Sequence, residues 1–177
     1  MLISSDYLAE QKALHAKGNY GTASLQYGEI VSDLCDGLEV RSLLDYGCGS
    51  MQNLAKVLET SFPVEYIGYD PAVDEFQRKE SADLVVCIDV LEHIEPEFLD
   101  NVLDDLMMLA NEYAFVTVHT GPAKKTLSDG RNAHLIQKPS SWWLPKLMSR
   151  FELVTFQANT FGFNVLMKAN HGTRHIR

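Results

Sequence analysis

Leu43-Leu44-Asp45-Tyr46-Gly47-Cys48-Gly49-Ser50 runs from an apolar strand straight into a turn with two glycines, and Met51 to Thr60 beyond it reads as a helix. Glycines on both sides of Cys48 let the backbone bend sharply and approach a ligand, while Asp45 sets a carboxylate at the strand's carboxyl end. The pattern is that of a ligand site. The third glycine of a G-x-G-x-x-G dinucleotide fingerprint is missing, with Asn53 standing roughly in its place, so pyrophosphate is not the expected guest.

Two further stretches follow in order. Glu65 to Tyr69 reads as a second strand ending in Asp70, about 20 residues past the glycines, where a carboxylate can accept hydrogen bonds from both hydroxyls of a ribose; the alternative is a turn Asp before Pro71. Leu84 to Ile88 is apolar on both faces, as a central parallel strand should be, and opens into Asp89-Val90-Leu91-Glu92-His93 at the sheet edge where such folds bind ligands. Asp45-x-Gly47-x-Gly49, Tyr66-Ile67-Gly68-Tyr69-Asp70 and Ala82 to Ile94 together resemble the first, second and fourth motifs of class I S-adenosylmethionine-dependent methyltransferases.

The resemblance implies a Rossmann-like α/β fold, a three-layer sandwich around a mostly parallel sheet, with S-adenosylmethionine as cofactor and S-adenosylhomocysteine as product. It assigns cofactor binding to Asp45, Gly47, Cys48, Gly49, Asp70, Pro71, Asp89 and Val90. The start of the helix expected after Ser50 would offer unpaired N–H groups to the cofactor's carboxylate. A helical amino-terminal segment often lies over the cofactor in this family, so Tyr20 joins the set; the competing reading makes Tyr20 a hinge or packing residue. One departure is plain. Only twelve residues, Pro71 to Ala82, separate Asp70 from Asp83, too few for the usual helix, strand and helix, so the sheet is expected to be shortened on its third-strand side. Adenine recognition then falls to Glu75, Phe76 or main-chain atoms near Ala72.

With 177 residues and 46% hydrophobic content, the chain suits one well-filled core. We read a single domain: a helical cap over 1–38, a Rossmann-like core over 39–170 and a tail over 171–177. No cationic-then-apolar leader and no membrane-length apolar run is present, which predicts a cytoplasmic protein with no membrane partner. Cys35, Cys48 and Cys87 are widely spaced and never form C-x-x-C, so reduced thiols are expected.

The net charge of −9 is unevenly spread. Residues 1–112 hold 6 Lys and Arg against 22 Asp and Glu, and residues 113–177 hold 9 against 2. The basic late segment, with Lys124, Lys125, Arg131, Lys138, Lys146 and Arg150, suggests a small or anionic acceptor; the preferred reading is that complementary faces of one globule or of two subunits account for it, and nucleic acid is not favoured.

Apolar spacing predicts helices over 4–17 with Ser4 or Ser5 as cap, 22–35, 96–111, and from Ser140 or Ser141 to about Arg150. Tyr113 to Val118 forms another strand. Phe151 to Gln157 and Phe163 to Lys168 form an antiparallel pair at the carboxyl end. The loop 121–133 is a candidate lid.

Side chains after the two central strands reach the point of methyl transfer, and His93, His119 and His134 are the candidate catalytic bases. Asp89-x-x-Glu92-His93 with a later histidine also resembles the E-x-x-E-H…H pattern of metal-dependent O-methyltransferases, which implies Asp89, Glu92, His93 and His134 as ligands for Mg, Mn or Zn. The preferred alternative has Glu92 and His93 capping and orienting the next helix without metal. Trp142 and Trp143 are either walls of the acceptor pocket or packing residues. The expected function is methyl transfer to an oxygen or nitrogen of an acceptor the sequence does not identify; a non-catalytic cofactor-binding or interaction module is the competing reading.

Overall fold

In the computed structural model, which describes residues 1–16 and 22–171, the apolar runs become one six-stranded sheet. The strands are β1 (Ser42–Tyr46), β2 (Glu65–Tyr69), β3 (Ala82–Ile88), β4 (Ala110–His119), β5 (Phe151–Ala158) and β6 (Gly162–Ala169). Their spatial order is β2-β1-β3-β4-β6-β5. The first four run parallel, and β6 and β5 close the sheet antiparallel, as expected for the carboxyl-terminal pair.

Side-chain alternation explains the layers. Leu43, Leu84 and Val86 face one side, where they pack with Val31 and Cys35 of α2 (Gly28–Gly37). Leu44, Val85 and Cys87 face the other, against α3 (Leu99–Leu109) and α4 (Ser140–Met148). With both faces covered, the central strands must be apolar where they are buried, and β3 is so from Leu84 to Ile88. Across one end of the sheet lies α1 (Ser5–His15), whose Tyr7 packs against Leu127 and Ala133 of the loop after β4.

Among the described residues no strand lies beyond β2, and the link from Asp70 to Ala82 holds only a single 3-10 turn, Asp74–Phe76. The shortened side is therefore real. Lys79 from this link bonds Asp105 of α3 at 2.6 Å, and Asp105 also accepts from the Tyr46 hydroxyl at 2.8 Å, which pins the short link to the core.

Several expectations need correction. The helix over 51–60 is absent: residues 50–57 form successive turns, and Gln52 has φ of +43°. Its side chain wedges onto Gly68, and a Cβ built on Gly28 of α2 would overlap Val57, so tertiary packing overrides the helical pattern. The helix over 22–35 divides into a 3-10 turn, Ala23–Gln26, and α2. Neither Ser140 nor Ser141 caps α4, which follows Pro139 with no side-chain cap. Ser4 does cap α1, accepting from the Tyr7 N–H at 3.2 Å. Tyr20 and the tail 172–177 lie outside the described residues. Among the described residues no helix is long and apolar enough to cross a membrane.

Candidate active site

The carboxyl ends of β1, β2, β3 and β4 open into one cavity of about 840 Å³. Each of those strands delivers a polar group to it. From β1 come Asp45 and the turn of Gly47 and Gly49, with φ of +85° and +64°. At Gly47 a side chain is also excluded by contact, because a Cβ there would overlap Val90. The turn is held to β2 by bonds from the Gly47 and Cys48 N–H groups to Tyr69 O, at 2.7 and 3.1 Å.

Asp70, from the end of β2, is buried and takes the Gly49 N–H on Oδ2 at 3.1 Å and the Ala72 N–H on Oδ1 at 2.9 Å. It lines the cavity with Pro71 and Ala72. Asp45 is buried too, and its Oδ2 accepts from the Tyr66 hydroxyl at 2.7 Å. Burial pushes the Asp45 carboxyl up to about 7, with the Tyr66 bond working against the rise and the nearby Asp70 adding to it.

The sign of that shift gives a prediction. Below about pH 7 Asp45 is protonated and offers no charge to a bound ammonium, so affinity for an ammonium-bearing ligand should rise with pH and level off above 7. The slope approaches about tenfold per pH unit on the acid side. Calorimetric titration of S-adenosylhomocysteine from pH 5.5 to 8.5 checks it: the wild type should follow this curve, and Asp45→Asn should be flat and weak. Because the unfolded carboxyl ionises near 3.8, Asp45 also makes the ligand-free fold lose stability as pH rises from about 4 to 7.

After β3, Asp89 lines the cavity in a left-handed conformation, φ +58°, uncommon for a residue with a side chain. Val90 and His93 follow it on the wall. His119, at the end of β4, and His134, at the far end of the loop after it, complete a cluster: the His134 ring centre lies 4.7 Å from that of His93 and 4.9 Å from that of His119. The sequence separates these three by 41 residues at most, and the fold brings them to one wall.

Tautomers follow from their partners. His93 Nδ1 lies 2.8 Å from Ala133 O, and His134 Nδ1 lies 2.7 Å from Gly121 O. A carbonyl only accepts, so in both rings Nδ1 carries the proton and Nε2 is the nitrogen with the lone pair. Burial, reinforced by the neighbouring His134, lowers His93 to about 4, and it is neutral at pH 7.

Not every expected residue is on the cavity wall. Cys48 is buried behind the turn, its sulfur toward Gly68, and is not on the cavity lining. Glu92 is fully buried and ties two loops together, accepting the His119 N–H on Oε1 at 2.6 Å while its own carbonyl takes the Ile136 N–H. Burial, with Asp89 beside it, holds Glu92 well above the usual carboxylate range, and neither the 3-10 turn Pro96–Phe98 nor α3 has a side-chain cap. Asp89, His93 and His134 do come together, with ligand-type atoms within 4.8 Å of one another. Trp143 is buried in the core and donates to Lys138 O, and Trp142 packs edge-on against it.

Sequence reading missed three contributors. Gln11 and His15 of α1 line the cavity, but α1 has little apolar periodicity to mark an inner face. Phe161, in the turn between β5 and β6, stacks on His119 with ring centres 5.8 Å apart and stays 68% exposed at the mouth. A large aromatic in a Thr-Phe-Gly turn was its only signal.

A parallel sheet with a reversed final pair, a glycine turn after β1, an acid after β2 and a cavity over the strand tips define the class I S-adenosylmethionine-dependent methyltransferase fold. The family model described as "Methyltransferase domain" matches residues 22–167, and the chain belongs to that family. A search of curated protein sequences gives no match.

Among solved structures, the chain is similar to TnmH, with a TM-score of 0.66 and 15% identity over 93% of this chain and 61% of that one. It is also similar to the 1,6-didemethyltoxoflavin-N1-methyltransferase of Burkholderia thailandensis (TM-score 0.60, 12% identity, 96% of this chain and 92% of that one). A third is the magnesium protoporphyrin IX methyltransferase of Synechocystis (0.53, 16%, 93% and 96%). The last two carry S-adenosylhomocysteine. At these identities the likeness is one of fold, and the chain spans under two thirds of the length of TnmH.

Proposed function

We propose that this protein binds S-adenosylmethionine across the tips of β1, β2 and β3 and transfers its methyl group to an oxygen or nitrogen of a small or anionic acceptor beside β4. The observation that carries this reading is a single cavity joining the glycine turn and its two acids to three histidines. The lining suits the cofactor's charge. Asp45, Asp70 and Asp89 line a space that would take an ammonium and a sulfonium, and Gly47 and Gly49 line it beside them.

When bound, S-adenosylmethionine supplies a methyl carbon activated by positively charged sulfur. What the chain adds is position and a place for the proton. In this reading Asp70 holds ribose hydroxyls and Asp45 the ammonium. His134 Nε2 takes the acceptor's proton, and neutral His93 orients the acceptor. Phe161 gives a flat acceptor a ring to lie on, and Lys124 and Lys125 at the mouth favour an anion. Arg150 is bonded to Asp100 and Asp104, and Arg131 to Asp129, so both arginines of the cluster are paired with acids, which weighs against a nucleic-acid partner.

Calorimetry with S-adenosylhomocysteine tests the cofactor, and labelled S-adenosylmethionine with nucleic acid, protein, and small acids or phenols tests the acceptor. Binding without turnover on any class would support the competing reading, a binding module. A second reading, metal-assisted transfer, is favoured by the Asp89, His93 and His134 cluster. It predicts that chelator lowers turnover by about tenfold or more and that Mg, Mn or Zn restores it. Full activity in chelator would leave His93 and His134 as proton and orienting groups only.

A further inference from the structure

We propose that Gln11 of α1 is a cofactor-binding residue whose side-chain amide donates to the carboxylate of the cofactor's amino-acid portion. The inference rests on the cofactor reading above and adds to it a contact from outside the stretch matched by the family model, which begins at residue 22.

Gln11 is 7% exposed and lines the cavity, and its Nε2 is buried with no hydrogen-bond partner among the described residues. A buried amide donor left unpaired costs free energy, and native chains rarely carry one without a purpose. Helical spacing then tells where this amide sits. Tyr7, Gln11 and His15 are four residues apart, so they stack along one face of α1.

Both ends of that face have known positions. The Tyr7 hydroxyl donates to His93 O at 2.8 Å, on the histidine side of the cavity. His15 Nε2 lies 3.7 Å from Asp70 Oδ2, and His15 Cε1 would be 3.6 Å from a Cβ on Gly49, on the turn side. Gln11 therefore stands between the glycine turn and the histidines, over the path the amino-acid portion of the cofactor must take.

Charge decides which group it meets there. The nearby acids Asp45, Asp70 and Asp89 attract the ligand's cations and repel its carboxylate. A neutral N–H donor in the roof answers that repulsion without competing for the cations. The ammonium already has Asp45, and the unpaired Nε2 cannot serve it; were the amide's Oε1 to serve it instead, Gln11→Glu would tighten S-adenosylhomocysteine, which overturns the proposal.

The test uses two ligands and the full-length protein. S-adenosylhomocysteine has the amino-acid portion, and 5′-methylthioadenosine lacks it. Gln11→Met keeps the length of the side chain and removes the amide, donor and acceptor together. It should weaken S-adenosylhomocysteine by about tenfold or more and leave methylthioadenosine unchanged, while the ligand-free melting temperature holds or rises because an unpaired buried group is gone. Gln11→Glu adds a fourth carboxylate and should weaken S-adenosylhomocysteine further. Equal loss for both ligands, or no loss for either, overturns the proposal. Failure of the wild type to bind either ligand sinks the cofactor reading itself, a different result from any of these.

Discussion

Gly47→Val should abolish measurable binding of S-adenosylhomocysteine and lower the melting temperature by roughly 6–12 °C. Two costs combine. The residue has φ of +85°, where an L side chain pays about 1–2 kcal/mol, more when β-branched. Its Cβ and methyl groups would also overlap Val90, and overpacking of that kind costs about 1–3 kcal/mol. The turn relaxes by pulling away from Tyr69 O, and that movement changes the backbone that faces the cavity. Gly49→Ala is the control. Its Cβ would meet only His15, at 3.6 Å, so its loss should be the smaller one in both calorimetry and a thermal melt. Retained wild-type affinity in Gly47→Val would mean that the turn does not touch the ligand.

Asp70→Ala should weaken S-adenosylhomocysteine by about two orders of magnitude, and Asp70→Asn by less. The carboxylate does two jobs. It accepts the Gly49 and Ala72 N–H groups, which fixes the turn beside β1, and it keeps lone pairs for the ribose. Hydrogen bonds to a charged group are worth about 1.5–3 kcal/mol each, so losing the ribose pair accounts for the drop. Alanine also orphans two backbone donors and should destabilise the ligand-free protein, whereas asparagine retains one acceptor oxygen. Comparing the two variants by titration and by melting separates the jobs. Unchanged affinity in Asp70→Asn and Asp70→Ala alike would remove the ribose assignment.

Much of the sheet was legible because its rules are local. β2 matches the predicted strand at both ends, and β1, β3, β4 and the final pair agree to within a few residues, since alternation, apolar runs and turn glycines are written along the chain. The short link after Asp70 was also readable, because twelve residues have no room for a strand between two helices. What failed was non-local. Residues 51–60 carry helical spacing, yet α2 presses on Val57 and Gln52 packs on Gly68, contacts that exist only once the layers assemble. Glu92 illustrates the same limit. Its neighbours in sequence suggested a metal ligand, but its partners are the ends of β4 and of the loop after it.

The site was legible in proportion to how much of it lies on strand ends. Asp45, Gly47, Asp70, Asp89 and His93 follow directly from strand positions, and the fold brings all of them to one cavity. Gln11 and Phe161 come from a polar helix and a hairpin tip, whose placement depends on docking rather than on pattern. His134 lies between. A histidine at the end of a loop is visible, but its distance to His93 depends on the loop folding back against α1.

α1 is fastened at both rims of the opening: Ser4 to Glu95, Tyr7 to His93 O, Lys12 to Asp74 and Glu10 to the Ser128 N–H. A guest that fills the space beneath it cannot leave without undoing some of these ties, so residence time is set by how often the roof lifts and not by the grip of the floor alone. The matched domain begins downstream of this helix. Cutting the chain back to that boundary would keep every strand and turn a latched chamber into an open trough.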